Sequence, residues 1–170
     1  MTRHQVSAGH GQMPAAWSLV SGAAAGAAGT AALDAATYLD MTIRGRPASS
    51  TPEQTVEAIE ERLPVSIPGG GNTHGNRVSG LGGLSGIATG VGVGAVFGLL
   101  RRAGVRVPLP VGAALVGLSA MATTALSMAA LDVSDPRRWS ARDWVSDLLP
   151  HLAYGAVTYG TLRALDADES

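Results

Sequence analysis

Asp34 stands out among the residues that could do chemistry, because it follows an uncharged run that extends from Gln5 to Leu33. An ionisable side chain within a membrane-crossing segment is costly, and it commonly belongs to a functional site. Asp34 could therefore carry a proton or bind a small ligand. In the alternative interpretation, the carboxylate lies near the end of its helix, where Thr or Tyr hydroxyl groups satisfy it.

A second pair of candidate residues, Asp147 and His151, is spaced four apart, and Asp143 precedes them on the same helical face. A carboxylate at this spacing can orient an imidazole or share a metal ion with it. Two ligands are too few for a metal site, however, and the chain contains no Cys that could complete one. We therefore predict no metal and no cofactor, and a helix at the membrane interface is the simpler interpretation of this pair.

These groups should reach one depth if the chain crosses a membrane four times. At a rise of about 1.5 Å per residue, Asp34 lies roughly 10 Å before Met41, and His151 lies roughly 10 Å after Trp144. A buried carboxylate needs partners at that depth, because an unsatisfied charge in a low-dielectric region is expensive. We predict that Asp34 faces the interior, within hydrogen-bond reach of a hydroxyl or of His151. The predicted polar cluster comprises Asp34, Tyr38, Ser85, Thr124, Asp147, His151 and Tyr154.

The helices that would position these residues are marked by long runs without charge. Charged residues make up 15% of the chain, well below the roughly 25% of soluble domains. About 20 apolar residues span a bilayer as an α-helix. We predict an all-α integral membrane bundle of four transmembrane helices near residues 15–43, 79–102, 110–131 and 147–165. The uncharged runs are Gln5–Leu33, Val78–Leu100, Val107–Leu131 and Leu148–Leu162.

The loops between these helices carry their own signals. In the first loop, residues 44–78, an extra amphipathic helix is predicted over 52–63, with Thr51 as its N-cap and Gln54 completing a capping box. The Gly- and Asn-rich stretch that follows, residues 64–80, is predicted to be an irregular loop. Pro150 should kink or divide the last helical segment. The membrane domain thus covers residues 14–165, between a polar N-terminal tail, 1–13, and an acidic C-terminal tail, 166–170.

Glycine recurs at every fourth position of the second predicted span. Residues four apart share one face of a helix, and small residues on such a face let two helices approach closely within a membrane. The expected partner is the small-residue face of the first helix. The predicted helix-packing residues are Gly22, Gly26, Gly82, Gly86, Gly90, Gly94 and Gly98.

Several function classes are disfavoured by what the sequence contains. The segment Gly90–Ala95 fits the dinucleotide-binding pattern G-x-G-x-x-A, but it lies in the middle of a predicted helix with no strand before it. The sequence shows no Ser-His-Asp set, phosphate-binding loop or paired catalytic Glu. We therefore predict that the protein is not an enzyme. It also has no basic stripe that would indicate nucleic-acid binding.

Two alternatives to a membrane protein remain open. A soluble Ala- and Gly-rich bundle is compatible with a mean hydropathy of only +0.20, but 23 Gly and one Phe would form a poor aqueous core. The first helix could also be a signal peptide, since it contains Ala-x-Ala sites. Its apolar run is longer than usual for a signal peptide, and it continues into Asp34 without a turn signal.

The segment His151-Leu152-Ala153-Tyr154-Gly155 and the pair Tyr159-Gly160, together with Asp34 in a Gly/Ala-rich first helix, resemble YagU-like small bacterial inner-membrane proteins. The second predicted span departs from this pattern, since it has no His or Tyr. The resemblance implies a multi-pass protein of the bacterial cytoplasmic (inner) membrane, and it implies no activity. All 12 basic residues are Arg, which with the Ala/Gly excess indicates a high-GC bacterial genome.

The expected function follows from this organisation. We expect a non-enzymatic integral membrane protein that acts as a structural or accessory subunit and packs through glycine-rich helix faces. Its partners would be the lipid bilayer and either a second copy of the chain or a larger membrane complex. The alternative is a small proton- or solute-handling transporter that uses Asp34 and His151. Loops one and three hold seven of the 12 Arg residues, so the positive-inside rule favours a cytoplasmic location for them.

Overall fold

The computed structural model describes residues 15–64 and 66–167, and over these ranges the chain forms five α-helices, one 3-10 turn and no strand. The predicted all-α class is therefore confirmed. The predicted N-terminal tail, 1–13, and residues 168–170 of the C-terminal tail lie outside the described residues. The helices are α1 (Ala15–Arg44), α2 (Thr51–Arg62), α3 (Asn72–Arg102), α4 (Leu109–Ala130) and α5 (Ala141–Ala167), and the 3-10 turn is Pro136–Arg138.

Three of the described helices, α1, α3 and α4, are long and apolar enough to cross a membrane. Helix α5 is also predicted to span, and with 27 residues it has the length. Its apolar sequence is interrupted by polar side chains such as Asp147, His151 and Thr158. The structure thus supports a membrane protein with three such helices.

The four long helices pack side by side in the order α3, α1, α5, α4. Helices α1 and α5 therefore take the central positions, and α3 and α4 touch each other less extensively. The short helix α2 lies against the N-terminal half of α3, where the Pro52 ring faces Gly82. The fold is thus a bundle whose inner helices carry both Asp34 and the His151 segment.

Large apolar side chains point outward from every long helix, whereas small residues and tyrosines fill the interior. Val20, Leu84 and Leu126 are 58%, 62% and 69% exposed. The side chains of Tyr154 and Tyr159 are each 1% exposed. A protein folded in water normally buries its large aliphatic side chains. The reversed distribution suits a surface that is covered by lipid.

The contact between α1 and α3 is made of bare backbone. A Cβ atom added at Gly22 would lie 2.6 Å from the carbonyl oxygen of Gly94. One added at Gly94 would lie 2.5 Å from the Cα of Gly26. Gly98 faces Gly22 in the same way, and Gly90 faces Thr30. Because a Cβ at Gly22, Gly94 or Gly98 would overlap backbone atoms of the other helix, only glycine fits there, and the two helices pack at very close range.

The predicted glycine face does not meet a single partner along its whole length. Gly82 lies against Pro52 of α2, and a Cβ added at Gly82 would lie 3.0 Å from the proline Cβ. Gly86 is exposed, and a Cβ added there would meet nothing within 4 Å. The straight axes of two crossing helices diverge away from their contact point. The close contact therefore ends at Gly90, and the prediction of one continuous interface is wrong.

A second close contact, between α4 and α5, is not predicted by the sequence. A Cβ added at Gly155 would lie 2.6 Å from the backbone nitrogen of Gly117. Nearby, Gly112 makes room for the ring of Tyr159. The two glycines of α4 are five residues apart and Gly155 is isolated on its helix face, so no spacing of four marks this contact in the sequence.

Several predicted boundaries are corrected by the structure. Helix α3 starts at Asn72, inside the predicted irregular loop, and α5 starts at Ala141 and continues through Pro150 without a break. A proline removes one backbone donor, and the packing of α5 between α1 and α4 holds the helix together across that gap. Ser50, not Thr51, is the N-cap of α2, and its hydroxyl accepts a hydrogen bond from the Gln54 side chain at 3.0 Å.

Candidate functional site

The predicted pair Asp147 and His151 lies on α5 in a mostly buried position. The His151 side chain is 9% exposed, and its Nδ1 lies 2.7 Å from the Asp147 carbonyl oxygen. The same nitrogen is 3.5 Å from Oδ1 of Asp147. The other carboxylate oxygen of Asp147 is buried and has no hydrogen-bond partner among the described residues. The backbone carbonyl and the carboxylate thus fix the orientation of the imidazole from one side.

Tyr154 connects α5 to α3 at the level where three helices meet. Its hydroxyl donates a hydrogen bond of 2.6 Å to the carbonyl oxygen of Gly90. Thr30 of α1 also faces Gly90, and Gly29 faces both Tyr154 and Thr158. We call this group of Gly29, Thr30, Gly90, Tyr154 and Thr158 the tyrosine junction. It contains no ionisable carboxylate or imidazole, and its close packing indicates a structural role.

Four members of the predicted polar cluster, Asp34, Tyr38, Ser85 and Thr124, form no hydrogen bond with its other members in the part of the chain that the structure describes. Tyr38 is 60% exposed. The Ser85 hydroxyl donates to the Gly82 carbonyl of its own helix at 2.7 Å, and Thr124 also bonds only to carbonyls of its own helix. Among the described residues, none forms a hydrogen bond or an ion pair with Asp34. The predicted hydrogen bond of Asp34 with a hydroxyl or with His151 is therefore wrong, because helix rise sets the depth of a residue but not the direction in which it faces.

Asp40, about two turns beyond Asp34 on α1, does have ionic partners. Oδ2 of Asp40 accepts hydrogen bonds from Arg44 at 2.6 Å and from Arg46 at 2.5 Å. Arg44 also donates to the Ser146 hydroxyl of α5 at 2.9 Å. This network ties the end of α1 to the start of α5. It could not be derived from the uncharged runs, which stop before these residues.

A second ionic contact lies at the opposite end of the bundle. Arg101 of α3 is 7% exposed and pairs with Asp166 of α5, with 2.9 Å between Nε and Oδ2. Its guanidinium lies 5.0 Å from the centre of the Tyr159 ring. The Tyr159 hydroxyl donates to the Val107 carbonyl at 3.0 Å. Asp166, predicted to begin a free acidic tail, is thus an integral part of α5.

The connection between α2 and α3 is held by Glu60. Its carboxylate accepts a hydrogen bond from the Ile67 backbone at 2.5 Å, and its other oxygen lies 2.9 Å from Nε2 of His74. The Ile67 N–H, and then His74, hold the pKa of Glu60 below its usual value. The contact is therefore fully formed above the normal pKa of a glutamate, and it is lost as the pH falls through the lowered pKa of the folded state.

We expect Glu60→Gln to loosen this connection without unfolding the bundle. A neutral amide accepts the Ile67 hydrogen bond less strongly than a carboxylate does. Hydrogen–deuterium exchange at pH 7 should therefore be faster at the Ile67 amide in the variant. Glu57→Gln, a change at an exposed position of the same helix, is the control. Equal exchange at Ile67 in both variants would show that the Glu60 contact does not order the loop.

The chemistry open to this arrangement is limited. In the part of the chain that the structure describes, no group of three His, Asp or Glu side chains is placed to hold a metal ion. Asp34, which has no partner among the described residues, and Asp147, whose Oδ2 has none, are carboxylates that could exchange a proton. The tyrosine junction and the two ionic contacts instead join helices to one another.

Comparison of the chain with protein-family models, with curated proteins and with solved structures gives no match. The resemblance to YagU-like proteins therefore stays a prediction.

Proposed function

We propose that the protein crosses the membrane with α1, α3, α4 and α5 and serves as a non-enzymatic structural or accessory subunit. For α5 the proposal is supported by its central position, since His151, Tyr154 and Thr158 are shielded by neighbouring helices. Polar side chains are tolerated in a span when they face the bundle interior. The bacterial cytoplasmic membrane is the proposed location, in line with the Arg-only basic composition.

The observation that carries the subunit proposal is the uncovered part of the α3 glycine face. Gly90, Gly94 and Gly98 of this face are covered by α1, but Gly86 and Gly83, which continue it, are exposed. A Cβ added at either position would meet nothing within 4 Å. In lipid, a strip of bare backbone offers close van der Waals contact to a further helix. The proposed occupant is a transmembrane helix of a second copy or of a partner subunit.

Gly86→Leu should therefore impair assembly without damaging the monomer. A bulky side chain at a helix contact typically costs about 1–3 kcal/mol, which corresponds to roughly a 5- to 150-fold weaker association. The assembly state should be measured in mild detergent by light scattering after gel filtration, together with identification of any protein that copurifies. The thermal unfolding midpoint of the monomer should not fall.

Gly92→Leu is the matched control, because Gly92 is equally open but lies on another face of the same helix. Both variants remove a glycine from a helix, so any gain in helix propensity is shared. A wild-type chain that is monomeric and copurifies with nothing would contradict the proposal. So would an equal effect of the two variants on assembly.

A second candidate function, transport of protons or a small solute, is favoured by the position of Asp34. It follows Thr30 by one turn on the side of α1 that meets α3, where the glycine contact between the helices ends. Since no described residue pairs with it, this carboxylate is available to exchange a proton. The same position would also suit a structural role, in which the Asp34 carboxylate forms its contacts with the helix of the proposed partner.

The variant Asp34→Asn separates the two functions. The variant should keep its thermal midpoint, because no internal hydrogen bond is lost, and a change within about 0.5 kcal/mol is expected for such a site. Flux should be measured in vesicles that contain the purified protein and carry a pH gradient. Loss of a pH-dependent flux with assembly intact would establish transport. Loss of assembly, with no flux in the wild type, would support the subunit function.

A further inference from the structure

An open groove runs along the outer side of α3, beneath the loop that joins α2 to α3. It has a volume of about 410 Å³. Leu81 and Leu84 are 44% and 62% exposed along its floor. We call it the Arg77 groove, and it is lined by Ser66, Ile67, Pro68, Arg77, Gly80, Leu81 and Leu84.

The groove lies at a defined depth if α3 crosses the bilayer. Arg77 comes directly before the uncharged run Val78–Leu100, so its guanidinium lies at the level of the lipid headgroups. Leu81 and Leu84 follow four and seven residues later, which places them about 6 and 10 Å deeper along the helix. These spacings keep all three residues on one face. The cation is therefore at the mouth of the groove, and the apolar part extends towards the hydrocarbon core.

The charge of Arg77 is not neutralised by a carboxylate among the described residues. Its guanidinium donates to the backbone carbonyl of Pro68, and four of its five N–H groups remain for other acceptors. Other arginines near this end are paired, as in the contacts of Arg62 with Asp132 and of Arg46 with Asp40. A guanidinium that is held in place at headgroup depth is well suited to bind a phosphate.

None of the four acidic side chains of α2 is among the residues that line the groove, and two of them contact other parts of the protein. Glu60 is held by Ile67 and His74, and Glu53 accepts a hydrogen bond from the Ser79 hydroxyl at 2.8 Å. Among the residues that line the groove, Arg77 is the one with a charged side chain.

We infer that the Arg77 groove binds one glycerophospholipid of the surrounding bilayer. Arg77 binds the phosphate, and one acyl chain lies along Leu81 and Leu84. The inference rests on the proposed membrane crossing of α3, but it does not depend on the docking of a partner helix at Gly86. The bound lipid would fasten the α2–α3 connection to the membrane surface.

Native mass spectrometry of the full-length protein tests this inference. The protein is purified in mild detergent, exposed to phosphatidylglycerol or to diacylglycerol with the same acyl chains, and washed. The wild type should retain one tightly bound phosphatidylglycerol and no diacylglycerol. Arg77→Gln should weaken this retention about fivefold, the size expected for the attraction of one arginine to an anionic lipid surface.

A second variant blocks the groove without disturbing the fold. A Cβ added at Gly80 would meet nothing within 4 Å, so Gly80→Leu has room for its side chain and should fill the groove. It should abolish the tight lipid. The matched controls are Gly92→Leu, equally open on another face of α3, and Arg106→Gln, an exposed arginine in the loop that joins α3 to α4. Both controls should retain lipid as the wild type does.

The outcomes separate the possible failures. Equal lipid retention by Gly80→Leu and Gly92→Leu would overturn the inference. If Gly80→Leu abolishes a dimer but leaves lipid retention unchanged, the groove binds a second copy of the chain, and the inference is again overturned. We expect inorganic phosphate at millimolar concentration to displace no lipid. Binding of phosphate in place of the lipid would contradict the proposed site. A wild type that is soluble without detergent would refute the membrane function itself.

Discussion

Replacing Gly94 by leucine should prevent α1 and α3 from packing and should abolish the native fold. A Cβ at this position would fall 2.5 Å from the Cα and 2.7 Å from the nitrogen of Gly26. These are backbone atoms of another helix, so no side-chain rotation can relieve the overlap. Overpacking of a core typically costs about 1–3 kcal/mol, and we expect a cost above that range here. The free energy of unfolding should be measured in mild detergent by titration with SDS.

The controls for this variant lie on the same helix. Gly92→Leu, two residues away, places the same side chain in open space and should keep or slightly raise stability, by up to about 1 kcal/mol from helix propensity. Gly90→Leu should fall between them, because its overlap is mainly with the hydroxyl of Thr30, a side chain that can turn. If Gly94→Leu unfolds at the same SDS concentration as Gly92→Leu, the close contact between α1 and α3 does not exist in the protein.

The helices could be predicted from the sequence because charge and glycine spacing act locally. The uncharged runs located α1, α3 and α4, since a stretch of about 20 apolar residues is recognisable without knowledge of its neighbours. The spacing of four also indicated the glycine partners on α1 and α3. The start of α3 could not be predicted, because its first turns are held by contacts outside the helix: His74 contacts Glu60 of α2, and Arg77 donates to the Pro68 carbonyl in the loop.

The predicted polar cluster failed for a different reason. Depth can be calculated from helix rise, but the direction of each side chain depends on how the helices rotate and cross. Asp34 and Tyr154 come from helices that do touch, yet Tyr154 donates to Gly90 of a third helix and Asp34 has no partner among the described residues. The Gly117–Gly155 contact was missed because isolated glycines in two different helices form no repeat.

An ionic contact joins helices or neighbouring segments at each end of the bundle, and the two contacts differ in burial. At one end, Asp40 and the two arginines it binds retain 25–29% of their side-chain exposure. At the other, the Arg101 side chain is only 8% exposed, and Asp166 is 24% exposed. Burial strengthens a charged contact, but it also raises the cost of leaving either partner alone. The Arg101 end should therefore be the more sensitive to the loss of a single partner.

Asp166→Ala should destabilise the protein by about 3 kcal/mol, because it leaves the guanidinium of Arg101 buried without its counter-ion. The stacking of Arg101 over Tyr159 recovers only part of this loss. Removing both charges, in Arg101→Met/Asp166→Ala, should restore most of the stability, since an apolar side chain of similar length fills the site. The exposed pair of Arg62 with Asp132, at 43% and 89% exposure, is the reference, and Arg62→Ala should cost less than about 1 kcal/mol. The free energy of unfolding in detergent distinguishes these cases. A double variant no more stable than Asp166→Ala would show that Asp166 acts through the helix end and not through Arg101.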